Sequence, residues 1–243
     1  MGVIRLVEKS FCISKDRGIL IVFEGISGCG KSESVDRLLK SLRQDGLKTK
    51  VVEWNSNKVI RGIVKKLYSS KLLTSGMYSV LQWFSFIIDY LFKIIPYLRK
   101  DYILIADRYV YTGLTRDAAN GAGIKAGKKL VSFVRKPDLI LFYDIDLHIC
   151  YERIQKRGKR LFRPGGINYS NEENLEYLIK LHNEYLKILN QPSFEEETNI
   201  VFITGSSEPE KLRVKRVIDK YISSKLKKVY FDEEELTCKP DQE

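Results

Sequence analysis

Gly25-x-x-x-x-Gly30-Lys31-Ser32, within FEGISGCGKSE (23–33), has the residue types and spacing to hold a polyphosphate. Glycines let successive backbone N–H groups turn inward on phosphate oxygens, and the N-terminus of a following helix adds positive potential. The Lys31 ammonium then reaches the β- and γ-phosphates, and the Ser32 hydroxyl offers a ligand to Mg²⁺. A tight strand-to-helix turn that merely contains glycines would not require the flanks, the spacing and the hydroxyl together. The residues expected around a nucleoside triphosphate are therefore Gly25, Ser27, Gly28, Cys29, Gly30, Lys31, Ser32 and Glu33, with ATP and Mg²⁺ as the cofactors.

A second constellation, Asp107-Arg108-Tyr109, closes the apolar run DYILIAD. Asp107 can order Mg²⁺ through water beside Ser32, while Arg108 points a planar, two-pronged cation at a second phosphate. That pairing suits a kinase whose acceptor already carries a phosphate. Arg153 and Arg157 stand four apart on one helical face, and Gly158 releases the chain before Arg160 and Arg163. An arginine closing over the γ-phosphate would stabilise the charge that phosphoryl transfer spreads over the equatorial oxygens, and would exclude water. Each of these arginines taken singly also fits a solvated basic face. Glu53, at the end of the run KTKVVEW, has two readings: a general base for a sugar hydroxyl, or a strand-end surface carboxylate. The catalytic candidates are thus Lys31, Glu53, Asp107, Arg108, Arg153, Arg157 and Arg160.

The elements that must position these groups follow from periodicity. GILIVF (18–23), KTKVVEW (48–54), DYILIAD (101–107), PDLILFYDI (137–145) and TNIVFIT (198–204) are short, apolar and nearly continuous, as strands buried on both faces are. Between them Val35, Leu38, Leu39 and Leu42 recur at helical spacing, as do Leu175, Leu178, Ile179 and His182, and then Val214, Val217, Ile218 and Tyr221. The alternation predicts a three-layer α/β fold with ligands beyond the carboxyl ends of the strands, where both constellations lie. The basic segment RGKRLFRPGGINYSNEEN (157–174) is long for a loop and reads as a lid, about 153–170, or as disorder. The acidic stretch from about 229 to 243 reads as a frayed terminus.

At 243 residues, with no break in composition, the chain is expected to form a single kinase domain. Its 44% hydrophobic and 30% charged content excludes wholesale disorder. Cys12, Cys29, Cys150 and Cys238 stand far apart without a CxxC pair, which suits neither a zinc site nor a disulfide framework and indicates a reducing, cytoplasmic compartment. The first eighteen residues, MGVIRLVEKSFCISKDRG, lack the sustained apolar core of a signal peptide. VLQWFSFIIDYLFKIIPYL (80–98) approaches the length of a membrane span, but a central aspartate costs roughly 3 kcal/mol there, and a long, largely buried helix is expected instead. The net charge of +11 suits nucleic acid, an anionic membrane or polyphosphate ligands. A GTPase should carry a DxxG switch and an NKxD element, and motor ATPases a strand ending in Asp-Glu; the chain shows neither. An ATP-binding regulatory or nucleic-acid-binding protein would have no use for the transition-state groups, so only weak, nonspecific nucleic-acid binding and no membrane association are expected.

FEGISGCGKS, ADRYVYTGL, KPDLILFYDID, RIQKRGKR and NLEYLIKLHNEYLKIL together resemble the thymidylate kinase family of nucleoside monophosphate kinases, from about Gly18 to Tyr221. The resemblance implies a five-stranded parallel sheet flanked by helices, transfer of the γ-phosphoryl of ATP to dTMP or a related pyrimidine nucleotide, and a homodimer formed by helices beside the acceptor site. It also implies that the lid arginines supply the catalytic arginine, since Ile26, Ser27, Gly28 and Cys29 leave none in the phosphate loop. On the acceptor side it points to Arg108, Tyr109 and Trp54, to Phe84 as the stacking aromatic with Trp83 and Phe86 as rivals, and to Asp89 near the base. Here the chain departs from the family: VVEWNSNK stands where an Arg-Glu-Pro-Gly-Gly run is usual, and no arginine follows the aromatic cluster. Deoxynucleoside kinases share this architecture and place a general base where Glu53 stands, but they carry Glu-Arg-Ser in place of Asp107-Arg108-Tyr109. The monophosphate reading stands first and the nucleoside reading second.

Overall fold

The computed structural model describes residues 18–158, 161–165, 169–191, 199–205 and 207–237. Met1–Gly205 and Ser206–Glu243 form two compact units. In the first, strands β1 (Ile19–Gly25), β2 (Thr49–Glu53), β3 (Ile103–Asp107), β4 (Leu139–Tyr143) and β5 (Asn199–Ile203) make one parallel sheet in the order β2-β3-β1-β4-β5. These are the five predicted runs. β1 is buried along its whole length because it lies at the centre of a sheet covered on both faces, which is why its sequence shows no alternation. The strand order reverses beside β1, and ligands of open α/β sheets bind at such a switch point.

Helix α1 (Lys31–Gln44) packs Val35, Leu38 and Leu42 inward. Asn57 caps α2 (Lys58–Ser69) by accepting from Val59 and Ile60 N–H, and Thr74 caps α3 (Ser75–Asp89). After α3 the chain passes through a π-helical turn, Tyr90–Ile94, into α4 (Ile95–Arg99). Pro96 accounts for the turn: it cannot donate to Phe92 C=O, and its ring would crowd that carbonyl in a regular helix. The run Ser75–Arg99 is long and apolar enough to cross a membrane by length and composition. Its expected burial holds on one side only. Tyr78, Gln82, Trp83, Phe86 and Asp89 are buried, whereas Met77, Val80, Phe84, Leu91 and Phe92 are exposed.

Helices α5 (Val110–Asn120), α6 (Lys125–Val131), α7 (Leu147–Lys156) and α8 (Asn171–Leu189) complete the unit. Asp146 caps α7, and Ser170 with Glu173 forms a reciprocal capping box at α8. The second unit holds helix α9 (Glu208–Thr237), which continues through residues 229–237 of the acidic stretch.

Candidate active site

The phosphate loop leaves β1 at Gly25 and enters α1 at Lys31, as its spacing predicted. Lys31 is buried, and its ammonium donates to Gly25 O (2.8 Å), Ile26 O (2.7 Å) and Cys29 Sγ (3.2 Å). Burial, reinforced by the nearby Arg108 charge, pushes the Lys31 pKa below the ordinary lysine value. Two of the loop glycines, Gly25 and Gly28, leave no room for a side chain. At Gly28, φ is +86° and a Cβ would stand 2.2 Å from Cys150 O of α7. The backbone therefore bends through a conformation glycine favours, pressed directly against a neighbouring helix.

Asp107 and Arg108 lie beside this loop because β3 pairs with β1. Ser32 Oγ donates to Asp107 Oδ2 at 3.2 Å. A hydroxyl and a carboxylate so placed are the oxygen donors a hard divalent cation takes. Among the described residues no group of three or more His, Cys, Asp or Glu could hold a metal ion. Ser32 and Asp107 are the residues that would hold Mg²⁺ beside the phosphate loop. Arg108 has φ +75°, unusual outside glycine, and donates to Gly25 O (2.8 Å), Tyr185 Oη (3.2 Å) and Thr112 Oγ1 (3.4 Å). Strain of this kind persists where surrounding contacts over-determine the backbone.

The residue that holds this turn is Glu24, which the sequence reading did not single out. It is fully buried. Its carboxylate accepts from Tyr109 N (2.8 Å), Thr112 N (3.2 Å), Thr112 Oγ1 (2.7 Å) and Tyr185 Oη (3.0 Å), satisfying the free N–H groups at the start of α5. Burial raises its pKa, against the lowering effect of those bonds and of Arg108. Its only sequence signal is a charged residue inside a continuous apolar strand.

A cavity of about 550 Å³ opens along the same edge of the sheet, with Glu53, Trp54, Asp107 and Arg108 in its wall. Glu53 stands opposite Asp107 in the β2–β3 register and accepts from Arg61 at 3.2 Å, both side chains being more than half exposed. Trp54 lines the cavity and also packs on Phe86 (5.2 Å between ring centroids) and Trp83 (5.7 Å). Gly113 of α5 makes room for this pair, since a Cβ there would lie within 3 Å of both indoles.

Three acceptor-side candidates are not brought to the cavity wall. Phe84 is 56% exposed on the outer face of α3; the aromatic that reaches Trp54 is its rival Phe86. Tyr109 is buried, with its hydroxyl on Arg135 O. Asp89 is buried and accepts from Ser56 N and Oγ (2.9 Å each) and from Lys93 (2.6 Å), and Lys93 also reaches Ser56 Oγ. Asp89 thus holds the loop that follows β2 and does not line the cavity. His182 lies 2.6 Å from Asp144.

Of the arginines expected in a lid, Arg153 donates to Gly28 O at 3.4 Å, Arg157 is exposed at the end of α7, and Arg160 lies outside the described residues. Arg163 stacks on Tyr169 and Tyr177 instead of facing the phosphate loop. Phe162 packs against Tyr68 and Tyr78 and closes one side of the cavity. Arg61 and Arg116 also line it, both missed in the sequence because only long-range folding brings them there.

A phosphate loop at the central strand, an Asp-Arg turn on the next strand and a cavity bordered by both define a P-loop phosphotransferase. Comparison with known proteins narrows the class. The thymidylate kinase family profile matches residues 23–213, and the chain belongs to that family as a nucleoside monophosphate kinase. Among its relatives, probable thymidylate kinase 2 of Saccharolobus solfataricus is 32% identical over 215 residues, which cover 86% of this chain and all of that protein. A probable thymidylate kinase of Archaeoglobus fulgidus is 28% identical over 85% of this chain and 98% of its own. The solved thymidylate kinase of Candida albicans shares the fold with a TM-score of 0.62 at 22% identity, covering 84% of this chain and 92% of that one. Family membership implies use of ATP with Mg²⁺.

Proposed function

We propose that the chain transfers the γ-phosphoryl group of ATP to dTMP or a closely related pyrimidine nucleoside monophosphate. The observation that carries this reading is the continuity of the two sites: Asp107 bonds Ser32, Arg108 bonds Gly25, and both also line the 550 Å³ cavity. A phosphoryl group held at the loop would face an acceptor held in the cavity, which is the positioning such transfer needs.

Each side chain then has a task. Lys31 exchanges its bonds to the loop carbonyls for bonds to the β- and γ-phosphate oxygens. Ser32 and Asp107 would hold Mg²⁺, which would supply positive charge against the phosphate oxygens. Arg108 and Arg61 turn their guanidinium groups to the acceptor phosphate. Arg153, with Arg157 and Arg160 beyond it, brings positive charge to the transferring group. Trp54 and Phe162 offer aromatic walls to the base. A phosphate acceptor is already ionised and needs no general base, so Glu53 serves to orient Arg61. The nucleoside reading keeps one observation in its favour, the Glu53 carboxylate in the cavity wall beside Asp107.

The enzyme is read as a single kinase domain acting in the cytoplasm, without a stable nucleic-acid complex. The apolar stripe Met77, Val80, Phe84 and Leu91 supports a homodimer formed through α3, which sedimentation analysis would detect. The functional proposal is tested by incubating the protein with Mg²⁺, ATP and dTMP: ADP and dTDP should form in equal amounts, and their absence with ATP bound would reject it.

A further inference from the structure

The cavity wall contains a buried carboxamide whose hydrogen bonding is incomplete. Gln82 of α3 is fully buried and lines the cavity. Its Nε2 donates to Asp117 Oδ1 (2.6 Å) and, at 3.4 Å, to Gly113 O. Both partners are acceptors, so the amide cannot be turned round: the nitrogen is committed and Oε1 is left as an acceptor. Asp117 is held in turn by Trp83 Nε1, which donates to Oδ2 at 2.6 Å. Gln82 Oε1 has no hydrogen-bond partner among the described residues, and it is the only such buried side-chain atom among the residues lining the cavity. Buried polar groups are normally satisfied, and one left over beside a ligand cavity needs a partner that a ligand could supply.

Arg116 presents the complementary lack. It follows Thr115 on α5, adjoins Asp117 in the chain and donates to Tyr78 Oη at 2.6 Å. Tyr78 stands one turn before Gln82 on α3, so the two helices bring Arg116 to the Gln82 end of the cavity. A guanidinium has five N–H groups, and Arg116 forms no ion pair with a carboxylate among the described residues. An orphaned acceptor beside a donor-rich cation matches a planar ring edge with an N–H next to a carbonyl.

Resting on the proposed reading of this cavity as the acceptor site, we propose that Gln82 and Arg116 determine base specificity. Gln82 Oε1 accepts from N3–H of the pyrimidine and Arg116 donates to the adjacent O4, so that the pair selects the imide edge of thymine or uracil. Cytosine has an unprotonated N3 and an amino group at C4, and it meets both groups with the wrong sign in the same position. Asp117, Trp83 and Tyr78 act as positioning residues, keeping the amide and the guanidinium in their orientations.

The test is steady-state kinetics of the full chain with ATP, Mg²⁺ and either dTMP or dCMP, for wild type, Gln82→Met and Arg116→Met. Thermal melts of each protein accompany the kinetics. Wild type should prefer dTMP. Each variant should raise KM for dTMP roughly 10- to 100-fold, the effect of losing a well-placed hydrogen bond, and should shrink the dTMP/dCMP preference while kcat changes little. If both variants melt as wild type does and keep that preference, or lose kcat equally for both acceptors, the proposal is overturned. If Gln82→Met fails to fold, Arg116→Met decides alone, since the Arg116 side chain is only half-buried and its loss leaves the core intact. A wild type that binds ATP yet phosphorylates no monophosphate would reject the acceptor reading itself, an outcome distinct from lost discrimination.

Discussion

Gly28 gives a direct test of how the phosphate loop is built. A Cβ at this position would meet Cys150 O at 2.2 Å, Cys150 C at 2.9 Å and Cys150 Cα at 3.0 Å, all backbone atoms of α7 that no rotamer change can move. The backbone there also has φ +86°. Gly28→Ala should therefore cost about 1–2 kcal/mol for the left-handed conformation and a further 1–3 kcal/mol, roughly, for the displacement of loop from helix. Gly46 separates the two effects. It follows α1 with φ +75°, and a Cβ would meet nothing within 4 Å, so Gly46→Ala carries the conformational cost alone. The difference between the variants should lower Tm by roughly 2–12 °C, taking about 2–4 °C per kcal/mol for a chain of this size. Denaturation followed by circular dichroism reads the difference, and ATP titration reads its consequence: Gly28→Ala should bind ATP at least ~10-fold more weakly because the loop N–H groups no longer converge, while Gly46→Ala binds normally. Equal melting temperatures and equal ATP affinities for the two variants would refute the argument that α7 buttresses the loop.

Two further outcomes follow from the geometry. Burial lowers the Lys31 pKa, and phosphate oxygens in place of backbone carbonyls would raise it again; ATP binding should therefore take up a proton between the lowered value and 10.5, and affinity should fall as pH rises through the lowered value. Calorimetry in buffers of different ionisation enthalpy measures that proton, which Lys31→Met should abolish along with several orders of magnitude of turnover. Asp89→Ala should free the loop carrying Trp54 and Asn55 by removing the acceptor for Ser56 N and Oγ; KM for the acceptor should rise ~10-fold with KM for ATP unchanged, at a stability cost of about 1–3 kcal/mol.

The sheet and the phosphate loop were legible because their signals are local. A strand buried on both faces must be continuously apolar, and a loop that presents N–H groups to phosphate needs glycines at set intervals, so five strands and the Lys31–Ser32 and Asp107–Arg108 pairs could be read from short stretches. The acceptor cavity was not legible in this way. Arg61, Gln82, Arg116 and Phe162 come from four separate segments, and only the packing of α2, α3, α5 and the segment 161–165 against the sheet edge brings them together. Phe84 was chosen over Phe86 because α3 is apolar around most of its circumference, leaving periodicity with no inner face to select. Asp89 faces Ser56, 33 residues away in the chain, and no spacing rule announces that pairing. Glu24 stood in plain view beside the first glycine, but only the fold shows that it satisfies the start of α5 from inside the sheet.

If the cavity beside the phosphate loop accepts a pyrimidine monophosphate, that acceptor is turned over selectively. The most direct measurement is ATP consumption by the purified chain with Mg²⁺ against dTMP, dUMP, UMP, dCMP, CMP, AMP and GMP, with the matching nucleosides in parallel, for wild type and Glu53→Ala. Selective turnover of dTMP or dUMP, with Glu53→Ala retaining most of it, is the predicted result. Turnover confined to nucleosides and abolished by Glu53→Ala would contradict it.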